Sequence, residues 1–178
     1  MRWNLFGFFP ALFAAAAAAE NDPAHFNRAQ SVINAFQVMC TLELPDFDHI
    51  DAKATAMKMR LKFSNSAPSA GDTVIRSKIW AGNLTDGPFV LMLDEMTGAQ
   101  ARTTSCAVVA DVPDRDAFRR EAISTMKLPH EPPPEFGGDG SRSYYWEGVF
   151  GAGTTMIDRD FAPNKKRGVM LKLLSASN

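Results

Sequence analysis

The chain has 178 residues, of which 46% are hydrophobic, and its 19 basic and 20 acidic side chains give a formal net charge of −1. This balance argues against a nucleic-acid-binding protein, because binding to phosphates depends on a clustered excess of Lys and Arg. The length suits a domain that buries its own hydrophobic core. We therefore expect a globular protein with no nucleic-acid partner.

The N-terminal residues follow the three-part pattern of an export signal. Arg2 supplies a positive charge, residues 5–16 form an apolar run, and three alanines precede Glu20, which suits cleavage by a signal peptidase. An uncleaved membrane anchor is the alternative, since the run approaches the ~20 residues that span a bilayer. The abrupt change to polar residues at Glu20 favours cleavage. We expect a periplasmic or extracellular protein with a signal peptide at residues 1–19, a single α+β domain at 20–178, and no integral membrane segment after cleavage.

The start of the mature chain predicts two helices. Asp22 is a capping residue followed by proline, and apolar residues recur at helical spacing over residues 23–40. Residues 47–59 also fit a helical face, yet the side chains over 57–63 alternate between apolar and basic, as in a strand. We expect a helix at 47–59 that passes into an extended end, followed by a loop at 64–72.

The rest of the chain predicts an antiparallel sheet. Three strand-like segments precede a helix that begins at Asp114, and three more follow an irregular, proline-rich connector at residues 129–140. Short connections favour antiparallel pairing, and helices on one face give an α+β fold. We predict about five to six strands, with one or two N-terminal helices and one mid-chain helix packed on one face. The predicted strands are residues 73–80, 88–95, 102–110, 143–150, 154–161 and 168–175.

One predicted strand is apolar at every position of its centre, residues 89–93. A strand with one solvated face alternates between apolar and polar residues, whereas a continuous apolar run is typical of a strand that is buried on both faces. We therefore expect helices to cover one face of this strand and something else to cover the other.

The two cysteines, Cys40 and Cys106, both lie in apolar surroundings. In an exported protein a lone pair of cysteines predicts one disulfide, which the chain-entropy model values at about 4 kcal/mol for a loop of this size. One alternative is a pair of unpaired core thiols. The other is a thiol nucleophile at Cys106 served by a histidine, but the sequence shows no base beside this cysteine that would activate it.

Short landmarks recur along the mature chain. The pattern Phe-x-x-x-Cys stands at residues 36–40, Cys-Ala-Val stands at 106–108, and a helix begins at Asp114 directly after that strand. In these landmarks the chain resembles a group of short exported proteobacterial proteins of unknown function, from which it departs in the long connector at 129–140. The resemblance implies an α+β fold held by a disulfide, and it implies no catalytic residues.

An acidic segment, residues 46–51, holds three aspartates and His49. Carboxylates and imidazole are ligands for hard or borderline cations. Acidic side chains also favour a helix start, because the exposed amides there attract negative charge, and no second ligand cluster occurs in the sequence. We expect a helix start here, with no metal and no cofactor.

The aromatic side chains offer a candidate binding surface. Trp80, Tyr145 and Trp146 are the residues that we predict to contact a ligand or partner, since exposed aromatic side chains favour apolar contacts. Core packing is the alternative role. Alternation along a strand places Tyr144 and Trp146 on the opposite face from Tyr145.

The sequence contains no convergent set of acid, base and nucleophile, and none of the common catalytic motifs. Our leading hypothesis is therefore an exported, non-catalytic domain that binds a protein partner or a small apolar ligand through its sheet. One alternative is an envelope stress or assembly factor. The other is a hydrolase whose site is assembled from four distant residues: Asp94, Glu95, His49 and Glu147.

Overall fold

The computed structural model describes residues 23–42, 46–69, 72–160 and 168–177, with side chains from residue 28 onward. The predicted signal peptide therefore lies outside the described residues. Within these ranges the chain forms three α-helices and eight β-strands. They are α1 (Pro23–Phe36), α2 (Phe47–Ala56), β1 (Arg60–Pro68), β2 (Val74–Leu84), β3 (Gly87–Thr97), β4 (Arg102–Asp111), α3 (Arg115–Met126), β5 (Glu135–Phe136), β6 (Arg142–Glu147), β7 (Thr154–Asp160) and β8 (Gly168–Ser177).

All eight strands belong to one antiparallel sheet, in the order β1-β2-β3-β4-β8-β7-β6-β5. The first four strands form a meander from one edge to the middle. Helix α3 then carries the chain to the opposite edge, and β5 to β8 form a second meander that runs back to the middle. Strands β4 and β8 join the two meanders, so the sheet has one long-range strand pairing at its centre.

The predicted α+β class and the antiparallel pairing are confirmed, but the predicted count of about five to six strands is too low. The sequence predicts only a short extended end followed by a loop where β1 lies, because its second half, residues 64–68, consists of Ser, Asn, Ala and Pro. Such a sequence pairs here because it lies at the sheet edge, where few side chains need burial. Strand β5 is a two-residue pairing inside the connector predicted to be irregular.

The helices begin where the sequence predicts. Asp46 and Asp114 each accept a hydrogen bond through Oδ1 from the backbone N–H three residues ahead, at 2.9 Å in both cases, and so cap α2 and α3. Helix α1 continues into a π-helical turn, Gln37–Thr41, which accounts for the predicted helix over 23–40. No helix in the described part of the chain is long and apolar enough to cross a bilayer.

The hydrophobic core lies between the helices and one face of the sheet. Leu91, Leu93, Val108, Leu171 and Leu173 come from the three central strands and are fully buried against the helices. At such positions each side chain contributes roughly 1.5–3 kcal/mol by leaving water. The core therefore depends on the contact between the helices and this face.

A disulfide joins Cys40, in the π-helical turn, to Cys106 on β4, with the two Cα atoms 5.4 Å apart. The predicted bridge is confirmed. Both half-cystines are fully buried, and the bridge fastens the end of the first helix to the middle of the sheet.

Candidate binding face

Alternation along the strands divides the sheet into two faces. The covered face lies under the helices, and the open face is the other. The register places Val108 on the covered face and its neighbour Val109 on the open face, between Val90 on β3 and Met170 on β8. The apolar residues of the open face, here called the open-face patch, are Ile75, Ile79, Val90, Met92, Met96, Ala107, Val109, Ile157, Met170 and Leu174.

No described helix or loop covers the open-face patch. Every strand residue of the buried hydrophobic cluster belongs to the covered face, and the helices pack on that face alone. Most side chains of the patch are only half-buried, because they contact one another and no described helix. Met96 is 49% exposed. The patch therefore presents a broad apolar surface across five strands, β2, β3, β4, β8 and β7.

A few polar side chains lie at the middle of the patch. Asp94 on β3 stands opposite Ser105 on β4, whose Oγ lies 3.4 Å from Asp94 Oδ2. Lys172 on β8 lines the same shallow groove, whose volume is about 310 Å³. Ile75, Met96 and Leu174 form apolar walls of this groove.

The structure does not bring together the three aromatic residues predicted to bind a ligand or partner. Trp80 and Trp146 are 6% and 3% exposed and belong to the core on the covered face. Tyr145 lies on the open face, 37% exposed, next to Ile157 of the patch. Of the three, only Tyr145 is placed to contact a partner, and binding by these residues stays a prediction.

The acidic segment 46–51 serves α2 and its contact with the sheet. Asp46 caps the helix, Asp48 accepts a hydrogen bond from Arg76 at 2.8 Å, and Asp51 accepts one from Lys78 at 2.6 Å. The Arg76 guanidinium holds the pKa of Asp48 below its usual range. No group of three or more His, Cys, Asp or Glu side chains is placed to hold a metal ion within the described ranges.

The four residues of the hydrolase hypothesis do not all lie on one side of the sheet. Asp94 faces the open side, and Glu95, the next residue on β3, is buried on the covered side. Glu95 accepts hydrogen bonds from Arg76 and Arg102, both at 2.6 Å. His49 is exposed on α2, and Glu147 is exposed at the end of β6, so no site is formed from these four side chains.

A second buried ionic cluster, missed by the sequence analysis, joins α3 to β7. Arg119 on α3 donates to Asp158 at 3.1 Å and to Asp160 at 2.7 Å, and its guanidinium lies 3.7 Å from the ring centre of Tyr144. Burial raises the pKa of Asp158 from 3.8 to about 7, while the Arg119 charge opposes this rise. Because all four side chains are nearly inaccessible, the cluster serves to dock the helix.

The patch residues were not individually predicted as a site, although one sequence signal pointed to them. The apolar run at 89–93 indicated a strand covered on both faces, and the structure shows Val90 and Met92 on the face that no described helix covers. Comparisons with protein-family models, with curated proteins and with solved structures give no match to this chain.

Proposed function

We propose that this chain is an exported, non-catalytic binding domain whose partner docks on the open face of the sheet. The observation that supports it is the open-face patch, which is apolar across the central strands and left uncovered by the described helices. The largest contiguous apolar patch on a protein surface is often an interaction site. Export is inferred from the pattern of residues 1–19, with which the Cys40–Cys106 disulfide is compatible.

The shape of the face favours a protein partner over a small apolar ligand. Small-molecule sites are concave and enclose most of the ligand surface. Here the groove on the patch is shallow, about 310 Å³, and Val90, Val109 and Met170 lie outside it on a broad surface. A protein surface covers such a face more completely than a small molecule does.

An envelope assembly or stress factor is one setting in which such a domain acts, since that role also depends on protein binding. The hydrolase hypothesis has no comparable support, because Asp94 and Glu95 face opposite sides of the sheet and His49 lies on a helix.

Site-specific photo-crosslinking in the native host tests this proposal. A photoreactive phenylalanine analogue is introduced at Val90 or at Val109, both in the patch, and at Ser124, which is exposed on α3, as the matched control. We expect the same crosslinked protein product from both patch positions and none from Ser124.

Equal labelling from the patch positions and Ser124, or no product at either patch position, would contradict binding through the open face. The export part is checked separately by the N-terminal sequence of the mature protein. We expect it to begin at Glu20, and an intact N-terminus on cytoplasmic protein would contradict export.

A further inference from the structure

The open-face patch carries two opposite charges near its centre. Asp94 lies on β3 and Lys172 on β8, on either side of β4. Ser105 on β4 pairs with Asp94, and Ala107, two residues further along β4, pairs with Lys172. Lys172 forms no hydrogen bond or ion pair with any described residue, and it does not reach Asp94 within its own chain.

This arrangement is self-complementary under a two-fold axis. If the axis runs along β4 between two sheets packed face to face, β3 of one copy lies over β8 of the other. Each Asp94 then faces Lys172 of the second copy, offset along the strands by two residues, or about 7 Å. The flexible four-carbon stem of lysine spans such an offset. Both ion pairs form at once, because the symmetry repeats the contact.

We propose that the partner of the open face is a second copy of this chain, bound sheet to sheet, with Asp94 of each copy paired to Lys172 of the other. The inference rests on the proposed function, since it names the occupant of the same face. Sheets that pack face to face lie about 10 Å apart with their strands nearly aligned, which is the geometry that this axis produces.

The size of the face agrees with a stable dimer. The patch extends over five strands and about six residues along β3, which is about 20 Å in each direction. Phe63 on β1 and Tyr145 on β6, 47% and 37% exposed, widen it at the rim. With these rim residues the face spans the seven neighbouring strands from β1 to β6, about 30 Å by about 20 Å, which is most of the roughly 800 Å² per partner that a standard protein interface buries.

The composition of the patch agrees as well. Three methionines, Met92, Met96 and Met170, lie among its aliphatic residues. Unbranched methionine side chains adapt to an opposing surface, which suits a face that has to pack against its own copy. The charged side chains that stand between the patch residues of β3, β4 and β8 are Asp94 and Lys172. An uncompensated charge at an apolar interface is costly, and the two-fold arrangement compensates both.

A charge-swap experiment on the purified, oxidised mature chain tests the dimer. Sedimentation velocity from about 1 μM to about 200 μM should show the wild-type mass rising to twice that of one chain. Asp94→Lys and Lys172→Asp should each weaken association by about 100-fold, because each variant juxtaposes like charges. In Asp94→Lys, positions 94 and 172 are both basic, and in Lys172→Asp they are both acidic. A mixture of the two variants should therefore associate again as a one-to-one heterodimer, because each ion pair re-forms across the interface.

Circular dichroism, and protection of the buried disulfide from reduction by a mild reductant, check that both variants are folded. If either is not, the milder pair Asp94→Asn and Lys172→Gln replaces the swap, with an expected weakening of about 10-fold for each. Restored association in the mixture supports the proposal, as does the weakening in the milder pair.

The proposal is overturned if the wild-type chain stays monomeric up to the highest concentration, or if both substitutions leave its association unchanged. Its failure is distinguishable from that of the proposed function. A monomeric chain that still crosslinks at Val90 and Val109 to a different protein keeps the binding function and rejects the second copy, whereas the absence of any crosslink rejects both.

Discussion

The covered and open faces of the sheet are built by the same strands, yet they differ in what their apolar side chains contact. Val108 and Val109 are consecutive on β4. The first is fully buried under the helices, while the second lies half-buried on a face that no described helix reaches. The apolar character of a strand residue therefore does not reveal whether its side chain packs in the core or lies on the open face. On the covered face it stabilises the chain, and on the open face it is available to a partner.

The largest expected effect comes from placing a charge on each face in turn. Val108→Asp inserts a carboxylate into the core with no partner, and we expect a loss of more than about 4 kcal/mol in the free energy of unfolding. Val109→Asp puts the same charge on the open face, where water reaches it, and should cost only about 1 kcal/mol. Urea unfolding followed by circular dichroism measures both.

Binding should show the reverse order of effects. Val109→Asp, although folded, should lose the crosslinked product obtained at Val90, because it introduces an unpaired charge into the patch. Equal losses of stability in the two variants would contradict the distinction between the faces.

The disulfide joins the π-helical turn to the covered face of the sheet. Replacing Cys40 and Cys106 together by serine removes a cross-link between residues 66 positions apart, and we expect the free energy of unfolding to fall by about 4 kcal/mol. Crosslinking at Val109 in the absence of denaturant should persist, since the open face does not contact the bridge.

Reductant provides the control for this double variant. It should destabilise the wild-type protein to a similar extent and leave the variant unaffected. A variant as stable as the oxidised protein would show that the bridge contributes little.

A pH dependence of stability also arises on the covered face. Because burial raises the pKa of Asp158 to about 7, the folded protein holds a proton there that the unfolded chain releases at about pH 4. The stability from this group is fully present below about pH 4 and is lost as the pH rises through about 7. Asp158→Asn cannot ionise, so its free energy of unfolding should fall less than that of the wild type between about pH 4.5 and about pH 7.5.

The neighbouring substitution Ile157→Val serves as the control for that measurement. It lies on the open face and changes no ionisable group, so its stability profile should run parallel to that of the wild type. Parallel profiles for Asp158→Asn and the wild type would contradict the role of Asp158.

Local signals in the sequence were sufficient to predict much of the fold. Asp114 followed by an amphipathic segment specified α3, and the two buried cysteines specified the bridge. Strand β1 was missed because its residues 64–68 lack apolar periodicity and gain their strand conformation from pairing with β2 at an edge. The order of the strands also escaped prediction, since the pairing of β4 with β8 joins residues far apart in the chain.

The candidate site was harder to predict, because it depends on which face of the sheet the helices pack against. Trp80 and Trp146 are aromatic residues of the type found at interfaces, but the strand register turns both toward the helices. Ordinary aliphatic residues such as Val90 and Val109 form the exposed surface instead. Residue type carried no information about this outcome, whereas the continuous apolar run at 89–93 did.

The pairing of β4 with β8 joins strands that are synthesised at different times, and this affects the order in which the protein folds. Both cysteines, and all four strands of the first meander, lie within the first 111 residues, so this part of the chain can close its hairpins and its bridge while the remainder is still being synthesised. Until β8 arrives, β4 is left with an unpaired edge, and unpaired edges recruit other strands. The nascent chain is thus most vulnerable to aggregation in the interval between completing Asp111 and delivering Gly168.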